Sequence, residues 1–162
     1  MKKLLAAICA TPMIVIAGGF SIFAGTAFAQ AQKMSPPVTI SNVWAKTTVP
    51  GGAVSAAYMQ IKSAKPVKLV KVETAIANIV EIHDMKMNDG VMEMKALDAI
   101  DIPANKLVEL KPGGMHVMLI NVKQPINKGD KIPLTLTFEG ADKKSFTMNV
   151  EASGQEKSGT HH

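Results

Sequence analysis

From Val38 onward, apolar side chains return at every second position, in short runs cut by Gly, Pro, Asn and Asp. A period of two sends successive side chains to opposite faces of an extended chain, so each run suits a strand with one buried face. The spacing predicts strands over Val38–Lys46, Val54–Lys62, Val67–Glu73, Asn78–Met87, Val91–Lys95, Leu107–Leu110, His116–Val122, Ile132–Phe138 and Ser145–Glu151. Turn chemistry separates them at Pro50-Gly51-Gly52, Asp89-Gly90, Pro112-Gly113-Gly114 and Gly129-Asp130. Many short strands at this spacing build an all-β sandwich or barrel, here as one domain over 38–151. No segment carries a long helical stripe, and only Thr74 to Val80 leaves room for a single helical turn.

The stretch before the strands has a different logic. Lys2 and Lys3 precede a long apolar run, and Ala27-Phe28-Ala29 supplies a small-x-small cleavage pattern. Residues 1–29 are therefore expected to be a signal peptide and 30–37 a short linker. The alternative is an uncleaved anchor, since Leu4 to Phe23 is long enough to cross a bilayer. Either way the remainder is exported, and after cleavage nothing in it is expected to insert into a membrane. Cys9, the only cysteine, leaves with the signal. It also precedes most of the apolar run, whereas a lipidated cysteine should follow it. The mature chain can form no internal disulfide and must rely on an ordinary core, which its about 133 residues can supply.

Nucleic acid is excluded as a partner on composition. Every basic residue is lysine, so no arginine fork is available for phosphates or bases, and the four mature aromatics, Trp44, Tyr58, Phe138 and Phe146, are too few for a stacking platform.

The chemistry concentrates in "EIHDMKMNDGVMEM", residues 81–94. With Asp89-Gly90 as a two-residue hairpin turn, Met87 faces Met92, Met85 faces Met94, and His83 lies diagonal to Met94. One face of the hairpin then carries an imidazole and four thioethers. Methionine is also a flexible core filler, so from this hairpin alone a methionine-lined core face stands beside a metal site as a reading. "PGGMHVMLI", residues 112–120, adds His116 and Met118 on one strand face, separated by roughly 7 Å along the strand. Two segments that each pair His with Met, holding the only two histidines between Val38 and Glu151, favour a shared site.

Ligand chemistry then selects the ion. Thioether sulfur is soft and neutral and suits Cu(I), whereas zinc prefers thiolate, imidazole and carboxylate, and calcium or magnesium prefer oxygen. Thioethers also survive an oxidising compartment that would convert thiols to disulfides. A blue-copper electron-transfer site would need a cysteine thiolate. Metal carriage is thus expected rather than redox turnover, and no acid, base or nucleophile constellation accompanies the His and Met residues to suggest an enzyme.

The spacing H-x10-M-x21-H-x-M, running through His83, Met94, His116 and Met118, resembles the signature of the periplasmic copper chaperone family PCu(A)C. "NVWAKTTVPGGAVSAAYMQI", "DGVMEM", "LKPGGMHVMLI" and "INKGDKIPLTLTF" extend the resemblance over nearly all of residues 38–151. It implies a cupredoxin-like Greek-key β-sandwich that holds Cu(I) on those four residues, with Met85, Met87, Met92 and Met115 as neighbours. It further implies a periplasmic carrier that delivers copper to the CuA centre of cytochrome c oxidase, directly or through a Sco-type copper protein. Handing over one Cu(I) needs no dimer, so a monomer is expected, with pairing through an exposed methionine-rich mouth as the alternative. Lys46 stands where relatives often carry arginine, and "IKSAKPVKLV" lacks the Asn and Asp common there, departures that touch no implied ligand. The rival functions are a copper-sequestering homeostasis protein and an interaction sandwich with a methionine-rich core.

Two further readings complete the expectations. Residues 152–162, "ASGQEKSGTHH", lose the strand pattern and read as a flexible tail, in which His161 and His162 are either simply solvated or a second, weaker site for Cu(II). Trp44 and Tyr58 fall in strand patterns and read as core aromatics.

Overall fold

Among the described residues, ten strands realise the alternation: β1 (Val38–Lys46), β2 (Val54–Ser63), β3 (Val67–Glu73), β4 (Ala77–Asn88), β5 (Val91–Leu97), β6 (Ile100–Ile102), β7 (Leu107–Leu110), β8 (His116–Val122), β9 (Lys131–Gly140) and β10 (Ser145–Gln155). The computed structural model describes residues 38–156. The expected signal, linker and His161-His162 pair lie outside the described residues.

The strands join in the order β5-β4-β8-β2-β1-β10-β9-β3-β6, with β7 pairing β2 off this path. β1 is the hinge of the arrangement, running antiparallel to β2 and parallel to β10. A bulge between Ser41 and Trp44, with Asn42 at φ 50°, bends β1 where it passes from one half to the other. The inner faces of the two halves meet in one core, where Ala57, Met59 and Ile61 of β2, Val117 and Leu119 of β8 and Ile82 of β4 join Leu69 of β3 and Leu134, Leu136 and Phe138 of β9. β9 illustrates the rule: Ile132, Leu134, Leu136 and Phe138 are buried, while of the residues between them Pro133 is exposed and Thr135 and Thr137 are half-buried. The all-β expectation holds, because the alternation puts each inward set on the side where the other half waits.

Three local expectations differ. β6 is an additional strand: buried Ile100 and Ile102 flank exposed Asp101 and pair with β3, a run too short to show a period. Ala75 and Ile76 form a plain turn rather than a helical one, and β4 starts at Ala77. β10 continues past Glu151 to Gln155, so the expected tail over 152–162 begins too early. Ala152 is fully buried, and Ser153, Gly154 and Gln155 pair with Trp44, Ala45 and Lys46. Gly154 is there for space, not flexibility, since a Cβ on it would lie 2.1 Å from the Asn127 carbonyl oxygen.

Candidate metal centre

The outer face of the β5-β4-β8-β2 half gathers the residues that the sequence singles out. Asp89 and Gly90 both have positive φ, 48° and 83°, the backbone that a type I′ hairpin requires. The register follows from this turn: Met87 faces Met92, Met85 faces Met94 and His83 faces Ala96, which leaves Met94 diagonal to His83. On its other side β4 pairs with β8, and His83 stands directly opposite His116. Met118 lies two residues further along β8, opposite Glu81 on β4 and Ala56 on β2. Residues of matching parity across these ladders share a face. His83, Met94, His116 and Met118 are therefore brought together on the face opposite the core.

This placement argues against core filling for three of the methionines. Met87, Met92 and Met94 are 65 %, 43 % and 48 % exposed, so they do not fill the core. Met115 is the exception among the expected neighbours. Its side chain packs against the core cluster and so leaves the metal face.

The two imidazoles are held in opposite tautomers. His116 is buried, and its Nδ1 lies 2.9 Å from the Gly114 carbonyl oxygen. A carbonyl only accepts, so Nδ1 carries the proton and Nε2 keeps the lone pair. His83 Nε2 lies 2.8 Å from Glu81 Oε2, so Nε2–H donates to the carboxylate and Nδ1 keeps the lone pair. That Nδ1 is buried and has no hydrogen-bond partner among the described residues. A buried lone pair without a donor is costly unless something else fills the role, and a metal ion would.

The ring separation fits one ion. The His83 and His116 centroids are 5.8 Å apart and nearly edge to face, at 67°. With metal–nitrogen bonds of about 2.0 Å, each centroid would stand roughly 3 Å from the ion, so two ligands of one ion can span about 6 Å. Met94, Met118, Met85 and His116 line a cavity of about 270 Å³, together with Tyr58 and Lys46. His83 is not on the lining of that cavity but touches it through His116. Among the described residues no three His, Cys, Asp or Glu side chains gather as a metal-holding group. The side-chain donors that share this face with the imidazoles include thioethers, which suit a soft monovalent ion.

Several contributors escape sequence reasoning. Glu81 orients His83, and its signal was the E-x-H spacing that places both on one strand face. The Gly114 carbonyl accepts from both His116 Nδ1 and the Met85 N–H, at 2.9 and 3.3 Å, so one oxygen ties the hairpin to the second histidine. Tyr58 is buried, as expected, and Trp44 is half-buried, but Tyr58 serves the face of His116. The two rings lie 4.4 Å apart, tilted by 31°, and the Tyr58 ring lies 6.3 Å from His116. Burial raises the Tyr58 pKa above its ordinary value.

Comparison with known proteins bears on the family and the fold. Residues 38–150 match the model of the family described as "Putative lipoprotein LpqE-like". The "Putative lipoprotein Lxx21020" of Leifsonia xyli subsp. xyli is 30 % identical over 122 residues, 74 % of this chain and 72 % of that protein. Among solved structures, the Cu(I) form of DR1885 from Deinococcus radiodurans is 32 % identical, with a TM-score of 0.55 over 80 % of this chain and 86 % of that one. The copper-bound PCuAC domain from PmoF2 is 22 % identical, with a TM-score of 0.56 over 74 % of this chain and 94 % of that domain. The shared fold is the cupredoxin-like Greek-key arrangement expected from the sequence.

Proposed function

We propose, from the premise that this chain belongs to the LpqE-like family, that it is a copper carrier which binds Cu(I) through His83 Nδ1, Met94, His116 Nε2 and Met118. The observation that carries the reading is the unpartnered, buried Nδ1 of His83 opposite a second imidazole whose free nitrogen is set by Gly114. The Cu(I) form of a relative at 32 % identity supports the choice of ion. Two neutral imidazoles and two neutral thioethers balance a monovalent soft cation without adding charge. Met94, half exposed, gives a recipient's ligand a way in, so one bond can be exchanged at a time.

The cargo's destination is part of the proposal. A cell-envelope location is supported by the lipoprotein names of the family and of the Leifsonia relative, and by the signal pattern ending at Ala29. Within the envelope, CuA of cytochrome c oxidase, reached directly or through a Sco-type protein, is the proposed recipient. Transfer of one ion needs only a monomer. A sequestering role is the second reading, and Met94's exposure speaks for hand-over instead.

Anaerobic Cu(I) titration of the mature chain against a competing chelator tests the proposal, with a form ending at Thr160 beside it. One tight equivalent is expected in both forms. Absence of a tight equivalent from the wild type would remove the carrier reading, and its loss on truncation would move the principal site to the His161-His162 end.

A further inference from the structure

Beyond His83 the hairpin leaves the core behind. β4 pairs with β8 only as far as His83, and the remaining residues of β4 pair with β5 alone. One side of this projecting hairpin carries Asp84, Lys86, Glu93 and Lys95, with Lys86 bridging to Asp84 at 3.1 Å. The other side carries Met85, Met87, Met92 and Met94. Burial does not explain the methionine side, since Met87 and Met92 are 65 % and 43 % exposed. Only one of these four belongs to the proposed His/Met site.

The pairing places the four methionines side by side on one face of the hairpin. The Met85 N–H is directed away from β5, to the Gly114 carbonyl. Met85 and Met94 are thus a non-hydrogen-bonded pair, and so, two residues on, are Met87 and Met92. In such pairs the Cα atoms approach to about 4.5 Å and the side chains are closest. The outer pair stands roughly 7 Å from the inner pair along the strands, within the reach of flexible thioether side chains. Met85 also lines the cavity that holds Met94, His116 and Met118.

We infer that Met85, Met87 and Met92 form a second, weaker and solvent-facing site for a soft monovalent metal ion, through which Cu(I) enters and leaves the His/Met centre. Three neutral thioethers hold such an ion without an imidazole and exclude harder divalent ions. The ion keeps its oxidation state throughout, exchanging one thioether for another along the ladder from Met87 and Met92 to Met85 and Met94. The direction of transfer rests on the proposed function, whereas the second site itself does not.

The test is an anaerobic Cu(I) titration of the mature chain with carbon-13-labelled methionine methyl groups, followed by NMR, in the wild type and in Met87→Leu/Met92→Leu. Both positions are exposed, so the double variant is expected to fold as the wild type does. The first equivalent should move the Met94 and Met118 methyl signals, and the second those of Met87 and Met92. In the double variant the first response should persist, and binding of the second equivalent should weaken at least about 10-fold, the scale of a lost supporting ligand. Unmoved Met87 and Met92 signals, or all methionines moving together within one equivalent, would overturn the inference. A lost first response with a retained second one would count against the His/Met centre and leave the ladder standing.

Discussion

His116→Ala is expected to abolish the tight Cu(I) equivalent, weakening binding by roughly 100-fold or more, since loss of even a supporting partner of a ligand costs 10–100-fold. His116 is the fixed point of the proposed centre: it is buried, its Nδ1–H donates to the Gly114 carbonyl so that Nε2 keeps its lone pair, and it faces His83 across the β4–β8 ladder. Removing the ring also takes a donor from the Gly114 carbonyl, which keeps the Met85 N–H. The apo-protein should therefore lose only about 1–3 kcal/mol of stability. Far-UV circular dichroism of the apo-variant separates loss of ligand from loss of fold. Met115→Leu provides the contrast. It changes the neighbouring thioether, but that side chain packs against the core, so copper affinity should be unchanged. An equal loss in both variants would mean that disturbance of the β8 entry, not ligation by His116, controls binding.

Gly154→Ala is expected to produce the second large effect, this time on folding. The added Cβ would lie 2.1 Å from the Asn127 carbonyl oxygen and 3.4 Å from the Asp130 backbone nitrogen. Backbone must move on one side or the other, because no side-chain rotation clears a carbonyl. That backbone is pinned: Gly154 N–H donates to Asp130 O, and Gly129 N–H donates to Gly154 O. Overpacking of this kind costs about 3 kcal/mol, or roughly 10 °C in Tm for a domain of this size. Ser153→Ala, at the exposed neighbouring position, should change stability by less than about 0.5 kcal/mol. Thermal unfolding of the two variants against wild type checks both values. Similar curves for Gly154→Ala and wild type would show that residues 152–155 do behave as a tail.

The comparison of these two variants also shows where the sequence was legible. The hairpin was readable because Asp89-Gly90 fixes its own backbone locally, and once the turn is set the period of two assigns every facing pair from Met87/Met92 to Met85/Met94. Co-location of His83 with His116 was a weaker inference, since it depends on the β4–β8 pairing across intervening strands, which local signals do not encode. The end of β10 was misread for a physical reason. Gly and Ser in a terminal stretch look like linker composition, and only the approach of Asn127, distant in sequence, reveals that Gly154 is the one residue that fits. The face that Tyr58 serves was not legible for a similar reason. β2 is buried on both faces along Ser55 to Met59, so its apolar residues do not announce which side they serve. Glu81 was passed over because an exposed carboxylate on a strand is common, and its role appears only with the 2.8 Å contact to His83 Nε2.

X-ray absorption at the copper edge of the chain loaded anaerobically with one equivalent of Cu(I) tests the central claim most directly. The account predicts a four-coordinate Cu(I) with two sulfur and two imidazole nitrogen scatterers, the nitrogen contribution halved in His83→Ala. A spectrum with nitrogen and oxygen scatterers alone, or one in which His83→Ala leaves the nitrogen count unchanged, would contradict it.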